Sequence, residues 1–186
     1  YRRPSDEEIE QVKDKFSLVL DKMSKLHAFA EVHRGEPVSE IRNFFKKDKS
    51  KGEANILLRP IGQIILATAI GRLEDNGLSI DEIFARLEEL DSKKGFNQNE
   101  PSNIWWKVTY DPSGKGRMIT NNQKLAVRLL VYLINAEEDS TVREKLLNDV
   151  KSARLSEDGK TWKNFESNDV PLDDNTSGSK LPRAIA

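Results

Sequence analysis

Near the start of the chain, apolar residues recur in alternating steps of three and four: Ile9, Val12, Phe16, Val19, Met23 and Leu26. That spacing lays one apolar stripe along a helix, and Ser5 with Glu8 three positions later is the reciprocal cap that starts one. Such a seam serves either a helix facing its own core or a helix paired with a partner chain. Gly35-Glu36-Pro37 closes this region, and a short helix with Ile41, Phe44 and Phe45 is expected next. The run KKDKSKG, residues 46–52, reads as a basic loop, either a solvated charge run, the commoner case, or a phosphate-binding arm.

A second apolar stretch, NILLRPIGQIILATAIGRL over residues 55–73, predicts a helix opened by Pro60 and stopped by Asn76-Gly77. Ser79 with Glu82 starts another, whose inward face is Ile80, Ile83, Leu87 and Leu90. Residues 91–104 read as a long polar loop. Trp105, Trp106, Val108 and Tyr110 then look extended, DPSGKG (111–116) turns, and Arg117, Met118 and Ile119 return. Thr120 with Gln123, and Thr141 with Glu144, mark two further helix starts, burying Leu125, Leu129, Tyr132 and Leu133, and then Leu146, Leu147 and Val150. The expected class is therefore mainly α: a helical bundle-like domain with one small β-hairpin near residues 104–119. Its extent is 1–155, with 156–186 a polar carboxy-terminal tail.

Composition narrows the chemistry. The 186 residues can bury a core without disulfides. Lys and Arg number 30 against 31 Asp and Glu, so any nucleic-acid face has to be local. With no cysteine there is no thiolate zinc site and no thiol nucleophile. The apolar run Ile61–Ile70 is too short to span a bilayer, and no signal peptide is visible, so no membrane partner and a cytoplasmic location are expected. The start Tyr1-Arg2-Arg3 suggests a fragment or processed product.

No catalytic constellation is visible, and no metal or cofactor is expected. His27 and His33 lie outside any HExxH-type spacing and read as surface histidines. Ser113-Gly114-Lys115-Gly116-Arg117 is not a phosphate-binding P-loop, yet its glycines and cations suit either a plain turn or a phosphate contact. Of Trp105 and Trp106, strand alternation sends at least one inward and leaves the other as a stacking candidate.

Two segments carry a resemblance. The stretch NILLRPIGQIILATAI, preceded by RNFFKK, and the stretch NIWWKVTYDPSGKGRMITNNQKLAVRLLVYLI of residues 103–134 resemble, in order and spacing, the carboxy-terminal part of the DGQHR-domain family. That family includes DndB-like regulators of bacterial DNA phosphorothioation. The matching positions are Leu57, Leu58, Arg59, Pro60 and Gly62, then Trp106, Gly116, Arg117 and Met118, then Asn122. The resemblance covers roughly residues 40–135. The string D-G-Q-H-R itself is absent, which implies that the family's core lies outside this chain.

The resemblance implies a DNA-binding regulatory protein of a DNA-modification and defence system, with Lys115, Arg117, Lys124 and Arg128 as phosphate contacts. Arg59 and Gln63 are then expected to pin the Pro60 helix to the Trp106–Arg117 hairpin or to the missing core. Gly62 would admit a close backbone or ligand. The family's kinship to ParB and sulfiredoxin-like folds offers an alternative, support for a nucleotide hydrolase or nuclease. A third reading is self-association, as a homo-oligomer or with a protein partner, through the Ile9–Leu26 seam.

Overall fold

A computed structural model of the chain describes residues 2–50, 52–98, 104–111, 117–135 and 139–154. The described part is mainly helical: α1 (Asp6–Met23), α2 (His27–His33), α3 (Val38–Arg42), α4 (Pro60–Asp75), α5 (Ile80–Ser92), α6 (Gln123–Ile134) and α7 (Ser140–Arg154). A single 3-10 turn, Ile56–Leu58, leads into α4. Two two-residue strands, β1 (Tyr110–Asp111) and β2 (Arg117–Met118), pair antiparallel, with Tyr110 opposite Met118 and Asp111 opposite Arg117.

The core is built on α4 packed against α6. α4 buries Ile65, Leu66, Ala69, Ile70 and Leu73, while α6 buries Val127, Leu129, Leu130, Leu133 and Ile134. Pro60 occupies the first turn of α4, where its missing N–H leaves no helical bond unmade. Asn76 caps the far end and Gly77 follows at φ +92°, a left-handed conformation that glycine adopts without strain. Gly62 is buried because the 3-10 turn lies directly on it: a Cβ there would come within 1.9 Å of the Ile56 carbonyl oxygen. The close approach expected at Gly62 is thus one of backbone to backbone.

α5 adds Ile83, Phe84, Leu87 and Leu90 to this core, and its Arg86 donates to the Ile134 carbonyl (2.9 Å) and the Asn135 side chain (3.2 Å). That guanidinium therefore caps the carboxy-terminal end of α6 from a neighbouring helix. α7 contributes Leu146 and Val150.

The capping boxes at Ser5 and Ser79 form in full: each hydroxyl accepts the N–H of the glutamate three residues on, and each carboxylate accepts the serine N–H. The two other expected starts shift. Helix α6 begins at Gln123 with Asn122 as cap residue, because Ile119 still donates to the Thr109 carbonyl (2.7 Å) and Thr120 is held outside the helix. At α7 the Asp139 carboxylate takes the Thr141 and Val142 N–H groups (2.8 and 3.2 Å), so the helix opens one residue before Thr141. The short helix α3 stops at Arg42, leaving Phe44 and Phe45 on the loop that follows.

The extended segment expected at Trp105–Tyr110 is a correction. Residues 107–110 fold back as a turn, with Val108, Thr109 and Tyr110 all donating to the Trp105 carbonyl, and Lys107 at φ +57°. Only Tyr110 and Asp111 enter the hairpin. The expected tail, 156–186, lies outside the described residues.

The apolar seam divides. Leu26 is fully buried and Val19 and Met23 pack partly on the core, but Ile9, Val12 and Phe16 are 38%, 68% and 62% exposed. α1 stops at Met23 instead of running on, since the Asp91 carboxylate of α5 accepts the His27 N–H (2.5 Å) and so satisfies a new helix start.

Candidate functional site

Two regions bear on function. The first lies between α3 and α4. Asn43 and Phe44 turn back on Gly52 and Ala54 through Gly52 N–H to the Phe44 carbonyl (2.9 Å) and Ala54 N–H to the Asn43 carbonyl (3.1 Å). Gly52 is required there, because a Cβ would meet the Asn43 carbonyl oxygen at 2.3 Å. At the tip, Lys46 N–H bonds the Ser50 carbonyl, and the Asp48 carboxylate accepts both the N–H and the hydroxyl of Ser50. Those bonds hold the Asp48 carboxyl below its ordinary range, with Lys46 adding a smaller attraction.

This locked turn presents Arg42, Phe45, Lys46, Lys47 and Lys49 to solvent, with Phe45 68% exposed. None of these four cations is in an ion pair among the described residues. Arg59 sits underneath. Its guanidinium donates to the Arg42 carbonyl (2.9 Å) and lies over the Phe44 ring, 5.4 Å from its centre. Burial, with the Arg42 charge second, lowers its pKa. Phe44 in turn stacks on Tyr110 of β1, with ring centres 4.4 Å apart. The basic turn, Arg59 and the hairpin therefore form one continuous unit through a guanidinium and two rings.

The sequence-derived residues distribute unevenly across this unit. Arg59 reaches the hairpin through Phe44, whereas Gln63 is exposed on α4. Lys124 is exposed on α6; Arg128, one turn on, is half-buried and ion-paired with Asp149 of α7. Arg117 contributes its backbone to β2, and Lys115 lies outside the described residues. Lys107 is held by Asp111 at 2.7 Å. Trp105 and Trp106 are 1% and 4% exposed, so neither is a stacking surface; Trp105 donates its indole N–H to the Gly95 carbonyl (2.7 Å). The turn at Lys107 replaces the strand whose alternation would have put one ring outside.

The second region is an open pocket of about 570 Å³ lined by His27, Arg34, Glu53, Glu88, Asp91 and Lys94, among others. The His27 Nε2 lies 3.1 Å from both Glu53 carboxylate oxygens, and the Asn97 amide bridges Glu53 (3.4 Å) to Asn55 (2.8 Å). His27 is at the surface as expected, with its side chain 41% exposed, and the structure adds its carboxylate partner. Glu31, four residues on, lies 3.7 Å from the His27 Nδ1, but Glu53 is distant in sequence, so no local spacing could have marked that pair. Among the described residues no cluster of three or more His, Asp or Glu side chains could hold a metal ion.

Asp91 carries a testable pH dependence. Burial raises its pKa above the ordinary carboxylate value, against the lowering effect of the His27 N–H. The folded chain then holds this proton more tightly than the unfolded one. Asp91 therefore contributes most below the ordinary value, and its contribution falls as pH rises through the raised one. Asp91→Asn, whose amide oxygen still accepts the His27 N–H, is expected to flatten this part of the stability–pH curve in chemical denaturation. An unchanged slope across that window would show that Asp91 is not its source.

No helix among the described residues is long and apolar enough to cross a membrane. No protein-family model, curated protein or solved structure matches the chain.

Proposed function

We propose that this chain is a helical part of a DNA-binding regulatory protein that grips the phosphate backbone through the Arg42–Lys49 turn. The observation that carries the reading is that turn: four exposed cations, none in an ion pair among the described residues, around an exposed phenylalanine and the single carboxylate of Asp48, on a backbone fixed by its own hydrogen bonds. Phosphate contacts need unneutralised Lys and Arg held in a fixed arrangement, and an exposed ring offers a surface for a base or sugar. The near-balanced net charge of −1 is compatible with this because four cations are grouped locally on one turn. The resemblance to DndB-like proteins of DNA phosphorothioation supports a DNA partner and a role in modification and defence. It also brings Lys115, Arg117 and Lys124 in as flanking contacts, with Arg128 committed to Asp149.

The test is binding of the whole chain to duplex DNA across a salt series. Affinity is expected to fall with salt at a log–log slope of about −3, as for three or four neutralised phosphates. Lys46→Ala/Lys47→Ala/Lys49→Ala should weaken binding at low salt by at least about tenfold, and Lys115→Ala/Arg117→Ala by less. Absence of binding at low salt, or a triple variant that binds like the parent, would sink the proposal.

A second reading, a nucleotide hydrolase with a catalytic group in this chain, draws on the His27–Glu53 pair in its pocket, where a carboxylate orients an imidazole. Nucleotide hydrolysis by the whole chain, lost in a folded His27→Ala variant, would favour it; no turnover would retire it for this chain.

A further inference from the structure

The first half of α1 is an apolar face with nothing on it among the described residues. Ile9, Val12 and Phe16 are well exposed, and contact with the body starts only at Lys15, which reaches Glu74 of α4 (2.9 Å), and at Val19. About three turns of helix therefore carry a seam whose continuation is buried. Phe16 and Val12 are the kind of side chains that solvent-facing helices normally lack.

We propose that this segment pairs antiparallel with the same segment of a second copy of the chain. The choice of occupant rests on charge. The start of α1 is acidic, Asp6, Glu7, Glu8 and Glu10, and the next turn carries Lys13 and Lys15, with Asp14 between them outside the flanking positions. With Ile9, Phe16 and Met23 as one seam position and Val12 and Val19 as the other, the flanking positions are Asp6 and Lys13 on one side, Glu8 and Lys15 on the other.

The register follows from what is free. Antiparallel pairings that use Val19 or Met23 collide with the body, because those residues already pack on it. Using residues 5–16 only, Ile9 of each copy falls opposite Val12 of the other, and Phe16 falls opposite Ser5. In that register Asp6 faces Lys13 and Glu8 faces Lys15, twice each by symmetry, so every flanking pair is attractive. A parallel pair would keep only the Glu8–Lys13 contact, twice by symmetry, while setting the two acidic first turns side by side. The symmetric antiparallel contact is closed, so it makes a dimer and not a filament.

These flanking charges have partners within the monomer: Glu8 with Arg2, Lys13 with Glu10 and Lys15 with Glu74. Exchanging one exposed ion pair for another changes little energy. Charge thus selects orientation, and burial of Ile9, Val12 and Phe16 supplies affinity. The patch is small beside the roughly 1,600 Å² of a standard stable interface, in the class of weak, transient contacts, so a dissociation constant on the order of micromolar or weaker is expected. This inference uses a different face from the proposed DNA contact and does not depend on it.

The experiment is sedimentation velocity of the whole chain over a concentration series, with circular dichroism to establish folding of each variant. The parent is expected to pass from monomer to dimer. Val12→Glu/Phe16→Glu, which alters only exposed side chains, should stay folded and weaken the dimer by about a hundredfold or more. Lys13→Glu/Lys15→Glu should weaken it as well.

Orientation is read from cross-linking, which is clean because the chain has no cysteine. Oxidising a mixture of Ile9→Cys and Val12→Cys chains should give mainly the mixed disulfide. A parent that stays monomeric at every concentration overturns the proposal, as does a dimer indifferent to Val12→Glu/Phe16→Glu. Dominant like-with-like cross-links overturn the antiparallel arrangement.

Discussion

Gly62→Ala is expected to destabilise the fold by about 3 kcal/mol or more, while Gly71→Ala, on the same helix, is expected to stabilise it by up to about 1 kcal/mol. The contrast isolates packing from propensity. Alanine is the better helix former at both positions, so propensity alone predicts a gain twice. At Gly71 a Cβ meets nothing within 4 Å and the gain is realised. At Gly62 the Cβ would fall 1.9 Å from the Ile56 carbonyl oxygen and 2.6 Å from its carbon.

That obstacle is backbone, which cannot swing aside like the end of a side chain. Either the 3-10 turn Ile56–Leu58 lifts off α4, exposing Ile56 and Leu57, or α4 shifts against α6. Both responses open the main core contact. Urea unfolding of the two variants beside the parent decides the matter. A Gly62→Ala midpoint equal to or above that of Gly71→Ala would mean the close approach is not part of the folded state.

Gly62 also illustrates what the sequence made legible. Pro60 and Asn76-Gly77 mark both ends of α4 because a missing N–H and a positive φ are local requirements that a single residue meets. The boxes at Ser5 and Ser79 are legible for the same reason, since donor and acceptor lie three residues apart. The same pattern misleads at Thr120 and Thr141 because a neighbour competes. The hairpin keeps Thr120 out of α6, and the Asp139 carboxylate reaches the α7 start first.

The candidate site follows this division. The Lys-rich turn is visible as a charge run, and the structure adds its locked backbone. The chain Arg59–Phe44–Tyr110 and the pair His27–Glu53 join residues far apart in sequence, so no spacing reveals them. The seam from Ile9 to Leu26 reads as one stripe, yet its use changes midway, because periodicity reports that a face is apolar and not what lies against it.

Trp105 is where the second large effect is expected. Trp105→Ala should destabilise the fold by about 4 kcal/mol, the range for deleting a large aromatic from a packed interior. Trp105→Phe should cost about 1–2 kcal/mol, since it keeps most of the buried ring but leaves the Gly95 carbonyl without its indole donor. Trp105 is 1% exposed and joins Phe96, Val108 and Leu90 in the core cluster, at the point where the chain leaves α5 and doubles back.

Gly95 is part of the same device, for a Cβ there would press on Leu90 at 2.4 Å. The loop is therefore drawn tight against α5 by an indole N–H on one side and a missing side chain on the other. Thermal or urea unfolding gives the stability, and DNA binding of the folded Trp105→Phe chain separates the two roles an aromatic in this segment could have. A ring that stacks on bases would weaken DNA binding when changed and leave stability untouched. A ring that closes the core would do the reverse, and the burial of Trp105 predicts that outcome: lower stability, with the proposed DNA binding unchanged.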